Sequence, residues 1–292
     1  MNVVAAPKAR PILQRSVAFE ILRIALVLVA ALILIALPFW LLVINSVKPF
    51  SEAAVLGPGL PQKWQIKENY QIVIDQGQYW QGLKNSLLTD IPPIALTLFL
   101  ASMAAWIFGR ARTRAVNVVY FVVILGMLVP GAIVTSVKLL QVSGLYTLYG
   151  DRFGTILFYT AGSLPFVIFL MAGFVKTIPI ELEEAARIEG AGSFRIYWQI
   201  VLPLLKPILA SAAILLLLGY WNDFYTPFFL LPNPEDQTLP LGLFAFATEG
   251  QYTTYWNLVF ADVVLVSLPL VLVYIFAQRW IIAGLTLGGV KG

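Results

Sequence analysis

The chain has no cysteine and no histidine, and it carries little charge. Of its 292 residues, 60% are hydrophobic and 12% are charged, against about 25% charged in a typical soluble domain. So little charge could not cover the surface of a globular protein of this size. Without histidine or cysteine, the usual zinc, haem and iron–sulfur sites, a histidine-dependent triad and a thiol nucleophile are excluded. The composition indicates an integral membrane protein and argues against most enzyme classes.

Long stretches without charge mark candidate membrane spans, because a charge at mid-bilayer is costly and a span needs about 17–25 apolar residues. Six stretches qualify: 24–47, 91–109, 115–137, 153–175, 207–231 and 257–278. The last two contain one acid each, Asp223 and Asp262. We therefore predict an all-α integral membrane protein, with about six transmembrane helices forming a single domain over residues 1–292.

The first stretch follows several basic residues and could instead be a cleaved signal peptide. Its apolar run exceeds the roughly 7–15 residues of a signal sequence, so we interpret it as a retained helix. If both termini lie inside, 13 of the 19 lysine and arginine residues fall on inner segments and 6 on outer ones. Because cytoplasmic segments are enriched in lysine and arginine, we predict that both termini are cytoplasmic.

This topology leaves outer loops at about 48–89, 138–152 and 232–256, and an inner loop at about 177–206. The first outer loop is rich in proline and glycine and contains several tryptophans and tyrosines. Such residues suit an exposed, turn-rich segment at a membrane interface or against a partner. The tip of the last outer loop, near Gly250, is either a solvated turn or a contact surface.

The inner loop is the most polar inner segment, and its pattern predicts two short helices. Pro179 suits a first helical turn, and the three glutamates that follow it suit the positive end of a helix dipole. The small residues at 190–192 should break the helix, with Ser193 capping a second helix that ends near Pro203. The loop should therefore be a helix–turn–helix outside the membrane.

The same loop resembles the signature of the membrane permease subunits of binding-protein-dependent ABC importers. That signature is Glu-Ala-Ala, three residues, glycine, nine residues, isoleucine, one residue and Leu-Pro. Every fixed position has a counterpart at the right spacing, namely Glu184, Ala185, Ala186, Gly190, Ile200, Leu202 and Pro203. The resemblance implies that these residues form a coupling helix and its continuation, which dock on a cytoplasmic ATPase and transmit its closure to the membrane helices.

Shorter motifs extend the resemblance over most of the chain and narrow the subfamily. They are Asn69-Tyr70, Asn85-Ser86-Leu87, Trp221-Asn222-Asp223 and the ending at 284–292. Together they are similar to the maltose-transporter type, which imports oligosaccharides and related solutes such as glycerol phosphate diesters. They favour a carbohydrate over an amino acid, a peptide or a metal, and both a neutral and an acidic sugar stay open.

The chain contains no G-x-x-x-x-G-K-[ST] segment, so it has no phosphate-binding loop of that kind. The resemblance implies that ATP and magnesium are bound by a separate cytoplasmic ATPase dimer, and we expect no cofactor in this chain. It also implies a second homologous permease subunit and an extracytoplasmic sugar-binding protein, contacted by the tip at Gly250, Gln251 and Tyr252. The expected location is the lipid of the bacterial inner membrane, and nucleic acid is not an expected partner.

Asn222, Asp223 and Tyr225 are candidates for the substrate pathway, because a carboxylate on the fifth helix could hydrogen-bond sugar hydroxyls. Asp223 is about 25 Å of helix beyond Lys206, so we expect Asp223 and Asp262 at similar depth near the outer face. The alternative is an interfacial carboxylate that stays hydrated, and this alternative is favoured for Asp262.

Two rival functions need different features. A secondary transporter or channel with no ATPase partner would usually show ionisable residues near mid-bilayer, often with internal repeats. A membrane-embedded enzyme would need a constellation of acids, bases or metal ligands, and Asp223 and Asp262 without any histidine do not supply one. Both rivals fit the sequence less well than a permease subunit.

Overall fold

The computed structural model describes residues 17–129, 151–248 and 255–289. Within these residues the chain forms helices and no strand, which confirms the predicted all-α class. The helices are α1 Val17–Ala31, α2 Leu37–Ser46, α3 Phe50–Ala53, α4 Ile66–Gln76, α5 Tyr79–Arg110, α6 Arg114–Leu125, α7 Arg152–Val175, α8 Glu181–Ile188, α9 Ser193–Ile196, α10 Leu202–Leu204, α11 Lys206–Trp221, α12 Tyr225–Leu230, α13 Leu239–Thr248 and α14 Trp256–Gly289. Short π-helical turns join α1 to α2 and α9 to α10.

Four helical segments are long and apolar enough to cross a membrane: Phe19–Ser46, Tyr79–Arg110, Arg152–Val175 and Trp256–Gln278. A fifth span can be formed by Ser193–Leu204 and Lys206–Trp221, which meet at 69°. These five correspond to the first, second, fourth, sixth and fifth predicted spans. In the third, α6 and a 3₁₀ turn cover Arg114–Leu128, and residues 130–137 lie outside the described part. Which side each terminus faces stays a prediction.

The main core lies between α5, α7 and the segment from α9 to α11. Ala101 and Ala105 of α5 are fully buried there with Val167 and Met171 of α7. Small residues let the two backbones approach closely, which is the usual way that membrane helices pack. Near the end of α5, a Cβ on Gly109 would lie 2.6 Å from Cγ1 of Val175. This close packing places the start of the inner loop beside the end of α5.

The first spanning helix has the opposite character. Large apolar residues such as Leu26 and Leu34 are exposed along most of its length. Its end is packed, however, because Asn45 and Ser46 of α2 are buried where α2 contacts α14. A helix with apolar side chains on most of its exposed surface is suited to contact with lipid.

The first outer segment has the exposed turns that the sequence suggested, with Trp64 54% exposed, but part of it folds against the protein. It contains α3, α4 and the first turns of α5, and Lys48 and Asn69 within it are buried. The Asn69 side chain donates to the carbonyls of Ser46 and Lys48, both at 2.9 Å, and accepts from Asn257 at 3.0 Å. The segment is thus exposed at its turns, while these two polar side chains satisfy buried groups of the protein instead of facing water.

Candidate functional site in the inner loop and the membrane polar layer

The inner loop forms the expected helix–turn–helix, with α8 beginning at Glu181 and α9 at Ser193. Ser193 is the first residue of α9 and not its cap, since Gly192 occupies the cap position and no side chain caps the helix. Gly190 has a φ of +85°, and the Ala191 N–H donates to the Ala186 carbonyl at 2.9 Å. This is the usual glycine C-terminal motif of a helix. It confirms that the turn needs a positive φ.

One buried carboxylate attaches α8 to the end of α5. Glu183 is 1% exposed, and it accepts hydrogen bonds from Arg110 Nε at 2.8 Å and from Trp106 Nε1 at 3.0 Å. Arg110 also donates from Nη2 to the Ile178 carbonyl at 2.9 Å. Because a buried charge needs both a counter-charge and hydrogen bonds, the first turn of α8 is fixed on α5.

Neither Arg110 nor Trp106 is marked by a sequence pattern. Arg110 looks like the charged end of a span, and Glu183 looks like one of three glutamates in a first helical turn. The ion pair joins residues that are 73 positions apart. Only the packing of α5 against α7 brings these side chains together.

The residues of the Glu-Ala-Ala signature lie on the outside of this structure. Glu184, Ala185 and Gly190 are exposed, and Ala186 is half-buried. Their short or flexible side chains leave the surface of α8 open to close approach by another molecule. The signature is thus gathered on one exposed helix and the turn that ends it.

Three large apolar side chains close to the signature in the sequence are also exposed. Ile188 is 88% exposed, Phe194 is 75% exposed and Leu182 is 46% exposed. The helix α8, which carries Leu182 and Ile188, is not a candidate membrane span, and exposed apolar residues on such a helix usually mark a protein contact. We name Leu182, Ile188 and Phe194, together with Glu184 and Ala185, the α8 patch.

The remaining signature residues lie in the segment between α9 and α11. Ile200 and Leu202 are half-buried and Pro203 is exposed, in the π-helical turn and in α10. Leu205 follows, fully buried, at the bend before α11. The signature therefore runs from the exposed patch to the bend before α11.

The second candidate site is a break after α11. The sequence placed Asn222, Asp223 and Tyr225 on one helix, but α11 ends at Trp221 and α12 begins at Tyr225. Asp223 lies in the break, where its carboxylate accepts from the Thr226 N–H at 3.1 Å. The expectation was wrong because this carboxylate satisfies a backbone donor at the start of the next helix.

The same carboxylate connects the break to α7. Tyr159 donates its hydroxyl proton to Asp223 Oδ2 at 3.2 Å. Its ring stacks on that of Tyr220 with centroids 4.2 Å apart. The Tyr220 hydroxyl lies 2.8 Å from Ser163 Oγ and 3.0 Å from the Tyr159 carbonyl. Two membrane helices are thus joined by a layer of polar groups.

Asp90 belongs to the same layer, although the sequence suggested that it marks the edge of a span. It lies inside α5, it is 2% exposed, and it is one helical turn before Ile94, which belongs to the same buried core as Tyr159 and Tyr220. Pro92 and Pro93 follow in the same helix and remove two backbone donors. An acid two residues before a proline pair was the available signal. We name Asp90, Tyr159, Tyr220 and Asp223 the polar layer.

Asn222 and Tyr225 are not part of this layer by the contacts described. Both are exposed, and the Asn222 amide donates to the Leu218 carbonyl at 2.8 Å. Asp262 is buried within α14, at 5% exposure. The hydrated alternative for Asp262 was therefore wrong, because the adjacent Ala261 packs in a buried cluster with Val73 of α4 and Phe246 of α13. The relative depth of Asp223 and Asp262 stays a prediction.

A third cluster fixes the last outer segment. Arg152, at the start of α7, donates from Nη2 to Asp236 Oδ1 at 2.9 Å and to Asn85 Oδ1 at 2.8 Å. The Asn85 amide donates to the carbonyls on either side of Asp236, and Ser86 Oγ accepts from the Leu239 N–H at 2.9 Å. The Asn-Ser motif of the sequence thus holds the segment before α13. The tip beyond it, with Gly250, Gln251 and Tyr252, lies outside the described residues.

The spanning helices, the polar layer between them and the exposed amphipathic loop are the features of a membrane transport subunit. Residues 97–286 match the family of binding-protein-dependent transport system inner membrane components. The chain belongs to this family, as its loop signature indicated.

Sequence relatives and solved structures that are similar to this chain are consistent with this family assignment. The chain is 30% identical over 290 residues to the arabinooligosaccharides transport system permease protein of Bacillus subtilis, covering 96% of this chain and all of the relative. It is 30% identical over 264 residues to a diacetylchitobiose uptake system permease protein of Streptomyces coelicolor, covering 90% and 86% of the two chains. A bacterial ABC transporter that imports alginate has the same fold, with a TM-score of 0.79, 23% identity and coverage of 90% and 96%.

Proposed function

We propose that this chain imports an oligosaccharide or a related sugar solute, as one of two homologous permease subunits driven by a separate cytoplasmic ATPase dimer. The single observation that carries the proposal is the α8 patch, which is exposed and yet fixed to a membrane helix by Glu183 and Arg110. The sugar substrates are inferred from the relatives, whose names specify arabinooligosaccharides and diacetylchitobiose.

The α8 patch supplies the contact with the ATPase. Its apolar side chains would be covered by a protein partner, Glu184 can pair with a basic residue of that partner, and Ala185 permits close approach. Closure of the ATPase would then push on α8. The buried ion pair of Glu183 and Arg110 passes this force to α5, because the contact is direct and both side chains have hydrogen bonds that hold their geometry.

The polar layer supplies the part of the pathway that this chain contributes. Broken helices at membrane depth are tolerated where they are buried in protein or line a water-filled cavity. Carboxylate and hydroxyl groups can exchange hydrogen bonds with sugar hydroxyls, and acids inside a membrane protein are functional candidates for the same reason. Since α5 carries both Arg110 at one end and Asp90 within it, movement of α8 and rearrangement of the layer are mechanically connected.

The outer cluster of Arg152, Asp236 and Asn85 would position the loop that meets the sugar-binding protein. A solved alginate transporter with the same fold, at a TM-score of 0.64 and 15% identity, is in complex with a pentasaccharide-bound periplasmic protein. In our proposal Gly250, Gln251 and Tyr252 make the corresponding contact. Because the segment before α13 is held at both α5 and α7, such a contact would act on two membrane helices at once.

The test is uptake by the complete complex reconstituted in liposomes, with the binding protein outside and nucleotide enclosed. We expect sugar uptake with ATP and none with a non-hydrolysable analogue. Uptake that is driven by an ion gradient without ATP would instead support a secondary transporter. Co-reconstitution with an ATPase whose phosphate-binding loop is inactivated is the matched control for loss of nucleotide binding, whereas the analogue gives binding without hydrolysis.

A further inference from the structure

A basic cavity of about 420 Å³ lies at the end of α5, where the inner loop begins. Two chain segments line it, residues 109–112 and residues 176–181. They contribute the cations Arg110, Arg112 and Lys176 and the acid Glu181. Arg110 is already paired with Glu183, so Arg112 and Lys176 are the cations with charge to offer a ligand.

The cavity lies at the boundary of the membrane helices. Its segments follow directly after the ends of two spans, at Arg110 and Val175. The ammonium group of Lys176 also lies 6.0 Å from the centre of the Tyr120 ring on α6, and interfacial tyrosines and lysines are typical of the headgroup region. The cations are therefore at the level where lipid phosphates are found.

An apolar groove adjoins the basic cavity along the chain. It has a volume of about 350 Å³, and its lining residues come from α5 and α6, namely Ala104, Ile107, Phe108, Ala115, Val116 and Val119. Phe108 of the groove directly precedes Gly109 of the cavity, and Ala115 follows the turn that carries Arg112. The next residues on α6, including Val118 and Val122, are exposed apolar side chains.

We propose that the basic cavity and the apolar groove together bind one anionic glycerophospholipid. Arg112 and Lys176 pair with the phosphate of the headgroup, and an acyl chain lies in the groove between α5 and α6. Charge complementarity selects the occupant, since a zwitterionic headgroup offers no net charge to two cations and Glu181 disfavours a second negative group. The inference rests on the proposed function only where it assigns this lipid to the cytoplasmic leaflet.

The experiment measures lipid binding to the full-length chain, purified in a mild detergent, by native mass spectrometry. The probes are dioleoylphosphatidylglycerol, dioleoylphosphatidylcholine and inorganic phosphate. We expect selective retention of phosphatidylglycerol. The double variant Arg112→Gln/Lys176→Gln should lower its affinity by about 30-fold, the size expected for two surface cations near an anionic lipid.

The matched control is Arg195→Gln/Lys206→Gln, which removes two exposed cations of the same loop that do not line the cavity. It should bind phosphatidylglycerol as the wild type does. Equal losses in the two double variants would overturn the proposal, because they would indicate a general effect of charge. Full competition of inorganic phosphate with the lipid would also overturn the proposal, because the cavity would then be a site for a free anion.

The groove is tested separately by Ala115→Trp, which fills it from an exposed position on α6. We expect weaker binding of phosphatidylglycerol with an unchanged thermal unfolding temperature in detergent. Unchanged lipid binding would overturn the assignment of the acyl chain. Arg112→Gln/Lys176→Gln could instead lower co-purification of the ATPase and leave lipid binding unchanged. That result would overturn the lipid site and assign the cavity to the protein interface. The lipid-binding measurements depend neither on transport nor on the ATPase, so their outcome is separate from that of the proposed function.

Discussion

Glu183 of α8 and Arg110 of α5 form an ion pair at 2.8 Å that is closed on one side by the indole of Trp106. The Glu183 side chain is almost fully buried, and Arg187 of the same helix lies 3.7 Å from its second oxygen. Breaking one partner of a buried pair typically costs about 3–5 kcal/mol, because the other charge stays buried and unpaired. The connection between the α8 patch and the membrane helices is therefore vulnerable to a single substitution.

Arg110→Gln should uncouple hydrolysis from transport. Loss of the Arg110 guanidinium leaves Glu183 only the Trp106 N–H and the more distant Arg187 of its own helix, so α8 should separate from α5 while its outer surface stays intact. We expect the ATPase still to bind and hydrolyse ATP, with less sugar moved for each ATP hydrolysed in proteoliposomes. Arg114→Gln, an exposed arginine at the start of α6, is the control and should keep the wild-type ratio. A wild-type ratio in Arg110→Gln would show that the pair does not transmit force.

Gly190→Val and Gly192→Val form a matched pair. Neither glycine would place a Cβ within 4 Å of any described atom, but Gly190 has φ +85° whereas Gly192 has φ −70°. A β-branched residue at positive φ costs about 1–3 kcal/mol. We expect stimulated ATP hydrolysis and ATPase co-purification to fall in Gly190→Val alone. Equal effects in both variants would mean that side-chain bulk matters and backbone conformation does not.

Ala185→Asp should prevent docking of the ATPase. The substitution places a charge within the α8 patch, where it would cost several kcal/mol if it is buried without a partner. Insertion of the membrane helices should be unaffected, because Ala185 is exposed. The measurement is co-purification of the ATPase together with sugar uptake, and both should fall. Ala54→Asp, the same change at an exposed residue after α3, should lower neither, and normal assembly of Ala185→Asp would refute the coupling assignment.

Asp223→Ala should reduce uptake by at least about tenfold, the effect of losing a hydrogen bond to a charged group. The carboxylate accepts from both Tyr159 and Thr226, so its loss affects the polar layer and the start of α12. Asp223→Asn keeps an acceptor and should retain the fold, which thermal unfolding in detergent would verify. Asp75→Asn on the exposed side of α4 is the control. Unchanged uptake and substrate preference in Asp223→Ala would remove Asp223 from the pathway.

The topology can be tested with introduced cysteines, because the chain has none of its own. Ser51 and Ser193 are both exposed and lie on opposite sides of the predicted topology. An impermeant thiol reagent should label Ser51→Cys in spheroplasts with an intact inner membrane, and Ser193→Cys only after permeabilisation. The reverse labelling pattern would show that the termini are not cytoplasmic.

The membrane spans and the coupling-loop signature could be predicted from the sequence because they depend on neighbouring residues. A long apolar run without charge can be recognised from the sequence whatever packs against it, so the approximate positions of five candidate spans could be predicted. The signature from Glu184 to Pro203 lies within one loop, and a glycine between two short helices already indicates a turn with positive φ. These features need no knowledge of which helices pack together.

Packing decided the environment of the charged residues. Asp90 looked like the end of a span, but it is buried in α5 beside the polar layer. Lys48 and Asn69 looked like solvated loop residues and instead satisfy buried groups. Glu183 looked like one of three equivalent acids and pairs with Arg110 of another helix. Each outcome depends on a partner that is distant in the sequence, since a buried polar group must find its hydrogen bonds wherever the fold places them.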